Sequence, residues 1–321
     1  MVQKETWFES DDEAKLYLRR WLPEQSKPLA VVHILHGMAE HSGRYRHLAE
    51  KLCNANIAVW ALDQRGHGKT ADLQINSRDK GGVLGHCADK NTFQRVTDDV
   101  YCLNRKIREK YPDIPLILLG HSWGSFIAQN YIENKDSGEG TVDCCILSGT
   151  RGPGGLKMKC GSLLMGLLAL FSKKSKGLPF ARKIADGSYN KPFSPNRTSF
   201  DWLSNDEAEV DAYQNDPYSG NLCSIGFYRD LMKGFNKIHK IKAISQIRKD
   251  LPIYIFCGSS DPVGDMGASP TKLVNIYRSF GIKDLEFVLY PGARHETLNE
   301  TNREEVMDAL LSWIRRHING E

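Results

Sequence analysis

The chain has 321 residues, and its 43 Lys and Arg against 39 Asp and Glu give a formal net charge of +4. Its basic residues are spread along the sequence rather than gathered in a stripe, which argues against a nucleic-acid partner. The longest apolar stretch, residues 160–171, is only about half of what a bilayer-spanning helix needs. With no internal repeat, this length predicts a soluble protein with one large core and a small insertion.

The N-terminal residues and the cysteines predict the compartment. Residues 1–7 lack the apolar stretch of a secretory signal, so a cytoplasmic location is expected. The eight cysteines have no Cys-x-x-Cys spacing, and most lie in apolar segments. We therefore expect buried free thiols in a reducing compartment, and neither a disulfide framework nor a zinc site.

The elements, taken in chain order, predict an α/β fold. Residues 6–9 and 15–21 have strand propensity and flank an acidic turn, which predicts an opening antiparallel hairpin. Continuous apolar runs then alternate with amphipathic stretches, as expected for strands covered on both faces. The strands are predicted at 29–35, 57–62, 116–119, 142–147, 252–257 and 285–290, and helices at 45–54 and 93–111. The pattern predicts a mostly parallel, doubly wound sheet, with Asn91 and Gln94 capping the second helix.

A long stretch separates the strands at 142–147 and 252–257. About a hundred residues lie there, far more than a crossover needs. We predict a mainly helical cap, or lid, at 151–240, inserted into a core formed by 1–150 and 241–321. Its apolar stretch either packs in the core or lines an acyl tunnel, or it contacts an anionic membrane surface beside flanking lysines. The candidate substrate-binding residues in this stretch are Leu163, Leu167, Leu170 and Phe171.

Residues 120–124 read Gly-His-Ser-Trp-Gly and stand between a predicted strand and a predicted helix. This context is typical of a nucleophile elbow, in which Ser122 sits on a sharp turn that small Gly120 and Gly124 permit. A serine hydroxyl is a weak nucleophile, so it needs a neighbouring base and backbone donors for the oxyanion. The sequence must therefore supply a histidine and an acid.

Both groups follow in the chain order Ser, acid, His that an α/β-hydrolase requires. Asp261 comes just after the strand at 252–257, at the carboxyl end where such sheets gather catalytic groups. Asp265, four residues later, is the alternative acid. His295 follows the last strand and is the candidate base, which takes the Ser122 proton and returns it to the leaving group.

The loop after the strand at 29–35 is the candidate oxyanion loop. The amides of Met38 and Trp123 are the expected oxyanion donors. His36, Glu40 and His41 also lie there, but their spacing matches no zinc-protease motif, so no metal and no cofactor are expected. Residues 66–68 read Gly-His-Gly and are predicted to shape a turn and not a phosphate loop.

These segments together resemble the monoacylglycerol lipase and lysophospholipase family of α/β-hydrolases. The resemblance rests on His-Gly-x-x-Glu-His-x-x-Arg-Tyr at 36–45, Asp-x-Arg-Gly-His-Gly at 63–68, the elbow at 120–124, Ser-Asp at 260–261 and Gly-Ala-Arg-His at 292–295. It implies that Ser122, Asp261 and His295 form a triad and that Met38 and Trp123 hold the oxyanion. The family commonly has Met and Gly where Trp123 and Ser125 stand.

The resemblance implies a cofactor-independent hydrolase of acyl glycerides or lysophospholipids that works through an acyl-enzyme. A short-chain carboxylesterase, thioesterase or peptidase with the same triad is an alternative, as is acyl transfer to an alcohol. A ligand-binding protein without turnover is the alternative from another class. The expected partner is an acyl ester or lipid, and the cap would provide any transient membrane contact.

Overall fold

The structure is a computed structural model that describes residues 1–24, 27–136, 141–154, 166, 175–177, 179 and 187–318. One eight-stranded sheet runs through it, with the strand order β1-β2-β4-β3-β5-β6-β7-β8. The first two strands form the predicted antiparallel hairpin, β2 pairs antiparallel with β4, and all later pairs are parallel. The strands are β1 (Val2–Glu9), β2 (Lys15–Leu22), β3 (Ala30–Leu35), β4 (Ile57–Leu62), β5 (Leu116–His121), β6 (Cys144–Ser148), β7 (Ile253–Gly258) and β8 (Leu285–Tyr290).

The helices cover both faces of this sheet, so the prediction of a mostly parallel α/β fold is confirmed. Every residue of strands β3 to β7 is buried, because alternate side chains of each strand enter two separate cores. On β3, for example, Val31 packs in one core and Val32 in the other. The helices are α1 (Arg46–Asn54), α2 (Thr92–Lys110), α3 (Trp123–Asn134), α4 (Glu207–Asn215), α5 (Ile225–Ile238), α6 (Ile241–Ile244), α7 (Ala268–Ser279) and α8 (Arg303–Ile318).

The N-terminus of α2 differs from its prediction. Asn91 has a left-handed backbone with a φ of 55°, and its side chain caps nothing. The Gln94 amide instead hydrogen-bonds Asp98 within the helix. The amide of Thr92 donates to Asp230 of α5 over 3.0 Å, so the predicted local cap is wrong and a distant helix supplies the acceptor.

The chain between β6 and β7 carries helices α4, α5 and α6. Helix α5 packs on α2 and α3 through Phe227 and Phe235, which belong to the same core as Trp123. The segment therefore shares a core with the strands below it. The apolar stretch with Leu163, Leu167, Leu170 and Phe171 lies outside the described residues.

The seven cysteines among the described residues are free thiols, and six of them are buried. Burial raises the pKa of Cys53 to about 11 and that of Cys144 to about 12. These thiols are therefore protonated at neutral pH. In the described part of the chain, no helix is long and apolar enough to cross a membrane.

Candidate active site

Ser122 lies on a strained turn between β5 and α3. Its φ of 51° and ψ of −118° are unfavourable for a residue with a side chain, and such strain is common at functional sites. The flanking glycines make this turn possible by close backbone packing. A Cβ on Gly120 would lie 2.4 Å from the Gly124 carbonyl oxygen, and a Cβ on Gly124 would lie 2.1 Å from that of Leu35. Neither position accepts a larger residue without movement of the backbone.

Hydrogen-bonded polar side chains lie beneath this turn. They begin at Ser125, where the monoacylglycerol lipase family that the sequence resembles commonly has glycine. The Ser125 hydroxyl donates to the Ser122 carbonyl over 2.6 Å and lies 2.8 Å from the Thr150 hydroxyl. The Gln129 amide donates to the same Thr150 oxygen over 2.9 Å. These bonds tie the elbow to the end of β6.

His295 and Asp261 meet beside the elbow, although 34 residues separate them. His295 Nδ1 is 3.0 Å from Asp261 Oδ2, and both side chains are buried. Burial opposes charging of the imidazole, but the charge of Asp261 and its hydrogen bond outweigh burial and raise the pKa of His295. Asp265 lies elsewhere: its carboxylate is 60% exposed and pairs with Arg151 at 2.9 Å. Asp261 is thus the acid that contacts the histidine.

Two more rings enclose His295. His121 lies on one side with ring centroids 5.0 Å apart, and Trp202 lies at 5.1 Å with the rings tilted by 37°. Burial and the neighbouring His295 lower the pKa of His121 to about 4, so His121 is neutral at pH 7. The His295 ring is therefore held by packing as well as by Asp261.

The two predicted oxyanion donors are next to Ser122. Trp123 follows it directly, and Met38 and Ser122 together line two adjoining cavities. Among the described residues, no hydrogen bond from the Met38 or Trp123 amide is present, so both N–H groups are available. The Trp123 indole is buried between Phe93 and Phe227, with ring centroids 5.1 and 5.0 Å away.

A buried ion network holds the oxyanion loop, and sequence reasoning did not assign it. Glu40 accepts hydrogen bonds from the Gly37 amide and the Tyr45 hydroxyl. Arg44 donates to Glu40 over 2.9 Å and binds Glu296 through two bonds of 2.7 Å. Burial opposes ionisation of Glu296, but Arg44 outweighs it and lowers the pKa of this carboxyl to about 2. The network links the oxyanion loop to the residue after His295.

The segment between β6 and β7 also contacts the oxyanion loop and the loop that carries His295. The amide of His295 donates to the Trp202 carbonyl over 3.4 Å, and that of Glu296 donates to the Leu203 carbonyl over 2.7 Å. The Tyr213 hydroxyl of α4 donates to the Ala39 carbonyl over 2.9 Å. Their partners are far away in sequence, so no local pattern marks Trp202 or Tyr213.

The histidines of the oxyanion loop are occupied by hydrogen bonds within the protein. Nδ1 of His36 is 2.8 Å from the Gly37 carbonyl, and Nε2 accepts from the Gln64 amide over 2.9 Å. His41 binds Asp216 at 2.6 Å. Both ring nitrogens of His36 are thus used by the backbone.

The predicted turn at 66–68 is confirmed, since Gly66 and Gly68 have φ values of +73° and +49°.

Two cavities of different character meet at Ser122. Met38, Ser122, Trp202 and Tyr228 line both of them. The first, here called the aromatic–acidic cavity, also contains Glu40, His121, Phe200, Tyr213, His295 and Glu296. The second, here called the apolar cavity, also contains Trp123, Phe126, Arg151, Leu231, Met232 and Phe235.

Known proteins are similar to this chain in sequence and fold. A monoacylglycerol lipase of Mycolicibacterium smegmatis is 29% identical over 303 residues, which is 93% of this chain and 92% of that protein. Phospholipase YtpA of Bacillus subtilis is 25% identical over 301 residues, covering 93% of this chain and 100% of that protein. A carboxyl esterase from Bacillus coagulans, solved in complex with glycerol, superposes with a TM-score of 0.88 at 28% identity and 99% coverage of both chains.

The family model described as serine aminopeptidase, S33, matches residues 26–302. This match and the relatives confirm the resemblance predicted from the motifs. The chain therefore belongs to the S33 family and is a serine hydrolase with the α/β-hydrolase fold.

Proposed function

We propose that the protein hydrolyses carboxylic esters of single-chain lipids, monoacylglycerols or lysophospholipids, through an acyl-enzyme on Ser122. The observation that carries this proposal is the position of Ser122 at the junction of the two cavities. An ester with an apolar acyl chain and a polar alcohol needs a different environment on each side of its carbonyl carbon.

The position of His295 supports one orientation of the ester, with the alcohol on the side of this histidine. A general acid must lie beside the oxygen of the leaving group. His295 lines the aromatic–acidic cavity, whereas the lining of the apolar cavity includes Leu231 and Phe235. The alcohol therefore occupies the aromatic–acidic cavity, and the acyl chain occupies the apolar cavity.

The reaction then follows from these groups. Ser122 Oγ bonds to the carbonyl carbon while its proton passes to Nε2 of His295, and Asp261 stabilises the imidazolium. The amides of Met38 and Trp123 donate to the oxyanion. The bond to the alcohol oxygen breaks as His295 gives that oxygen the proton, and a water molecule deacylates the serine by the same steps.

The relatives support this substrate class, since one is a monoacylglycerol lipase and another is a phospholipase. The second candidate is a short-chain carboxylesterase. Two features of the apolar cavity favour it: the Trp123 indole fills part of its wall, and Arg151 places a guanidinium in its lining. The similar fold of the Bacillus coagulans carboxyl esterase points in the same direction.

We also propose that the chain divides into a core, formed by 1–150 and 241–321, and a cap at 151–240. Contact of this cap with a membrane surface is part of the same proposal. The described part of this cap includes Trp202, Tyr213 and Tyr228, which reach the aromatic–acidic cavity. We expect the cap to set substrate choice.

Hydrolysis of p-nitrophenyl esters from acetate to palmitate, with monoacylglycerol and lysophosphatidylcholine in parallel, tests the proposal. We expect the highest kcat/KM with medium or long chains, together with turnover of the glyceride. Ser122→Ala should abolish turnover and keep the fold, which circular dichroism checks. Activity confined to acetate and butyrate would replace the lipid proposal with the short-chain esterase, and activity of the Ser122→Ala variant would overturn the mechanism.

A further inference from the structure

We propose that the aromatic–acidic cavity selects esters whose alcohol carries a cationic ammonium group, in preference to isosteric neutral alcohols and to alcohols of net negative charge. The inference rests on the proposed ester hydrolysis and deepens it, because it concerns the alcohol side of the same substrate.

Aromatic rings form much of this cavity. Phe200, Trp202, Tyr213 and Tyr228 all line it beside Ser122. The Phe200 and Tyr213 rings meet edge to face with centroids 5.0 Å apart. Ring faces attract ammonium groups through the ring quadrupole, and the attraction increases when water is excluded. A cage of several rings is thus a binding surface for such a group.

The charges around the cavity have the matching sign. Glu40 and Glu296 are 3% and 5% exposed, and both line the cavity. Arg44 binds both carboxylates, so this cluster has two negative charges against one positive charge. The Arg44 guanidinium lies 4.8 Å from the Tyr213 ring centroid, so this ring already contacts a cation of the protein.

The remaining negative charge is not screened like a surface charge. Buried charges act through a lower effective dielectric than exposed ones, and salt screens them less. A cationic alcohol is stabilised by this field, whereas an anionic alcohol is repelled by it.

The role of His295 places the ammonium group in this field during the reaction. The alcohol oxygen must approach His295 to receive the proton. Because His295 and the four aromatic residues line one cavity, a substituent two carbons from that oxygen lies among the rings. The preference should therefore appear in kcat/KM as well as in binding of the free alcohol.

Choline and 3,3-dimethylbutanol esters of one acyl group are a matched pair, since they differ in charge and hardly in shape. We would measure kcat/KM for both butyrates and for the anionic 3-sulfopropyl butyrate, each divided by its rate with hydroxide to remove intrinsic reactivity. We expect the choline ester to exceed the dimethylbutyl ester about five- to thirtyfold, and the sulfopropyl ester to be the poorest. Choline should also inhibit p-nitrophenyl butyrate hydrolysis at lower concentration than 3,3-dimethylbutanol.

Phe200→Leu removes one ring and keeps an apolar side chain. We expect it to lower the choline preference about two- to fivefold while the dimethylbutyl rate changes less. Phe280→Leu, a half-buried aromatic position after α7 and outside the cavity lining, is the matched control and should keep the preference. Equal normalised rates and equal inhibition by the two alcohols would overturn the inference. Failure of the proposed function gives a different result, which appears in the chain-length series and not in the ratio of the two butyrates: turnover confined to acetate and butyrate, or no hydrolysis of any ester.

Discussion

At the scale of single residues, Asp261 controls when His295 can act as a base. Burial alone would lower the pKa of His295, but the charge of Asp261 and its 3.0 Å hydrogen bond raise it. Only neutral His295 can accept the Ser122 proton. Activity should therefore fall as the pH drops through a midpoint above the ordinary histidine value of about 6.5.

Asp261→Asn should change both the rate and this midpoint. We expect kcat to fall roughly 10³- to 10⁴-fold, as in other serine hydrolases that lose this acid. The acid limb of the kcat/KM profile should also move to lower pH, because the charge that raised the pKa of His295 is gone. Measurement of p-nitrophenyl butyrate hydrolysis from pH 5 to pH 9 checks both effects.

Asp265→Asn is the control for this prediction, since its carboxylate pairs with Arg151 and is exposed. It should leave the midpoint where it is in the wild type. A large loss of activity with Asp265→Asn and little loss with Asp261→Asn would reverse the assignment of the acid.

At the scale of elements, α2 and α5 are joined by one side chain. Asp230 of α5 accepts from the Thr92 amide at the start of α2 and is itself held by Arg229 at 2.7 Å. A carboxylate at this position satisfies a free amide and also interacts well with the helix dipole. The bond fixes α5, which carries part of the cavity wall, to the start of α2.

Asp230→Ala should lower the free energy of unfolding by about 1–2 kcal/mol, the usual cost of losing a helix cap. Asp230→Asn keeps an oxygen acceptor and should cost less. Asn91→Gly should be nearly neutral, because Asn91 makes no cap and its positive φ suits glycine. Urea unfolding of the three variants checks this order, and an equal cost for Asn91→Gly and Asp230→Ala would contradict it.

The same elements show what local sequence can predict. Strands such as β4 and β7 were predicted within one residue because continuous apolar runs report burial on both faces. The motifs predict Ser122, Asp261 and His295 as a triad, and the fold places the last two of these side chains in contact. The cap predicted at Asn91 was wrong because cap preference is a local property of the sequence. The acceptor that replaces it, Asp230, lies 138 residues away from Thr92. Trp202 was missed for the same reason, since only the folded chain places it on His295.

At the scale of the whole molecule, buried neutral histidines make the fold sensitive to acid. Burial lowers the pKa of His33, His36 and His121 to about 4, and that of His67 to about 3. In the unfolded chain the same groups titrate near 6.5. The unfolded state therefore binds more protons between pH 6.5 and 4, and the stability that these groups contribute above pH 6.5 is lost as the pH falls.

The free energy of unfolding should accordingly be lower at pH 5 than at pH 7, by on the order of 5 kcal/mol in urea titrations at the two pH values. Each buried histidine contributes up to about 1.4 kcal/mol per pH unit. His295 acts in the opposite direction, because its raised pKa gives stability at low pH that is lost as the pH rises through that value. One histidine with a raised pKa offsets only part of the effect of the four with lowered pKa values.

His33→Gln removes one titrating group and keeps a polar side chain beside Asn104. It should therefore reduce the difference in the free energy of unfolding between pH 7 and pH 5 by about 1–2 kcal/mol, whatever it costs in stability at pH 7. An unchanged pH dependence in this variant would show that carboxylates, and not the buried histidines, cause the loss of stability in acid.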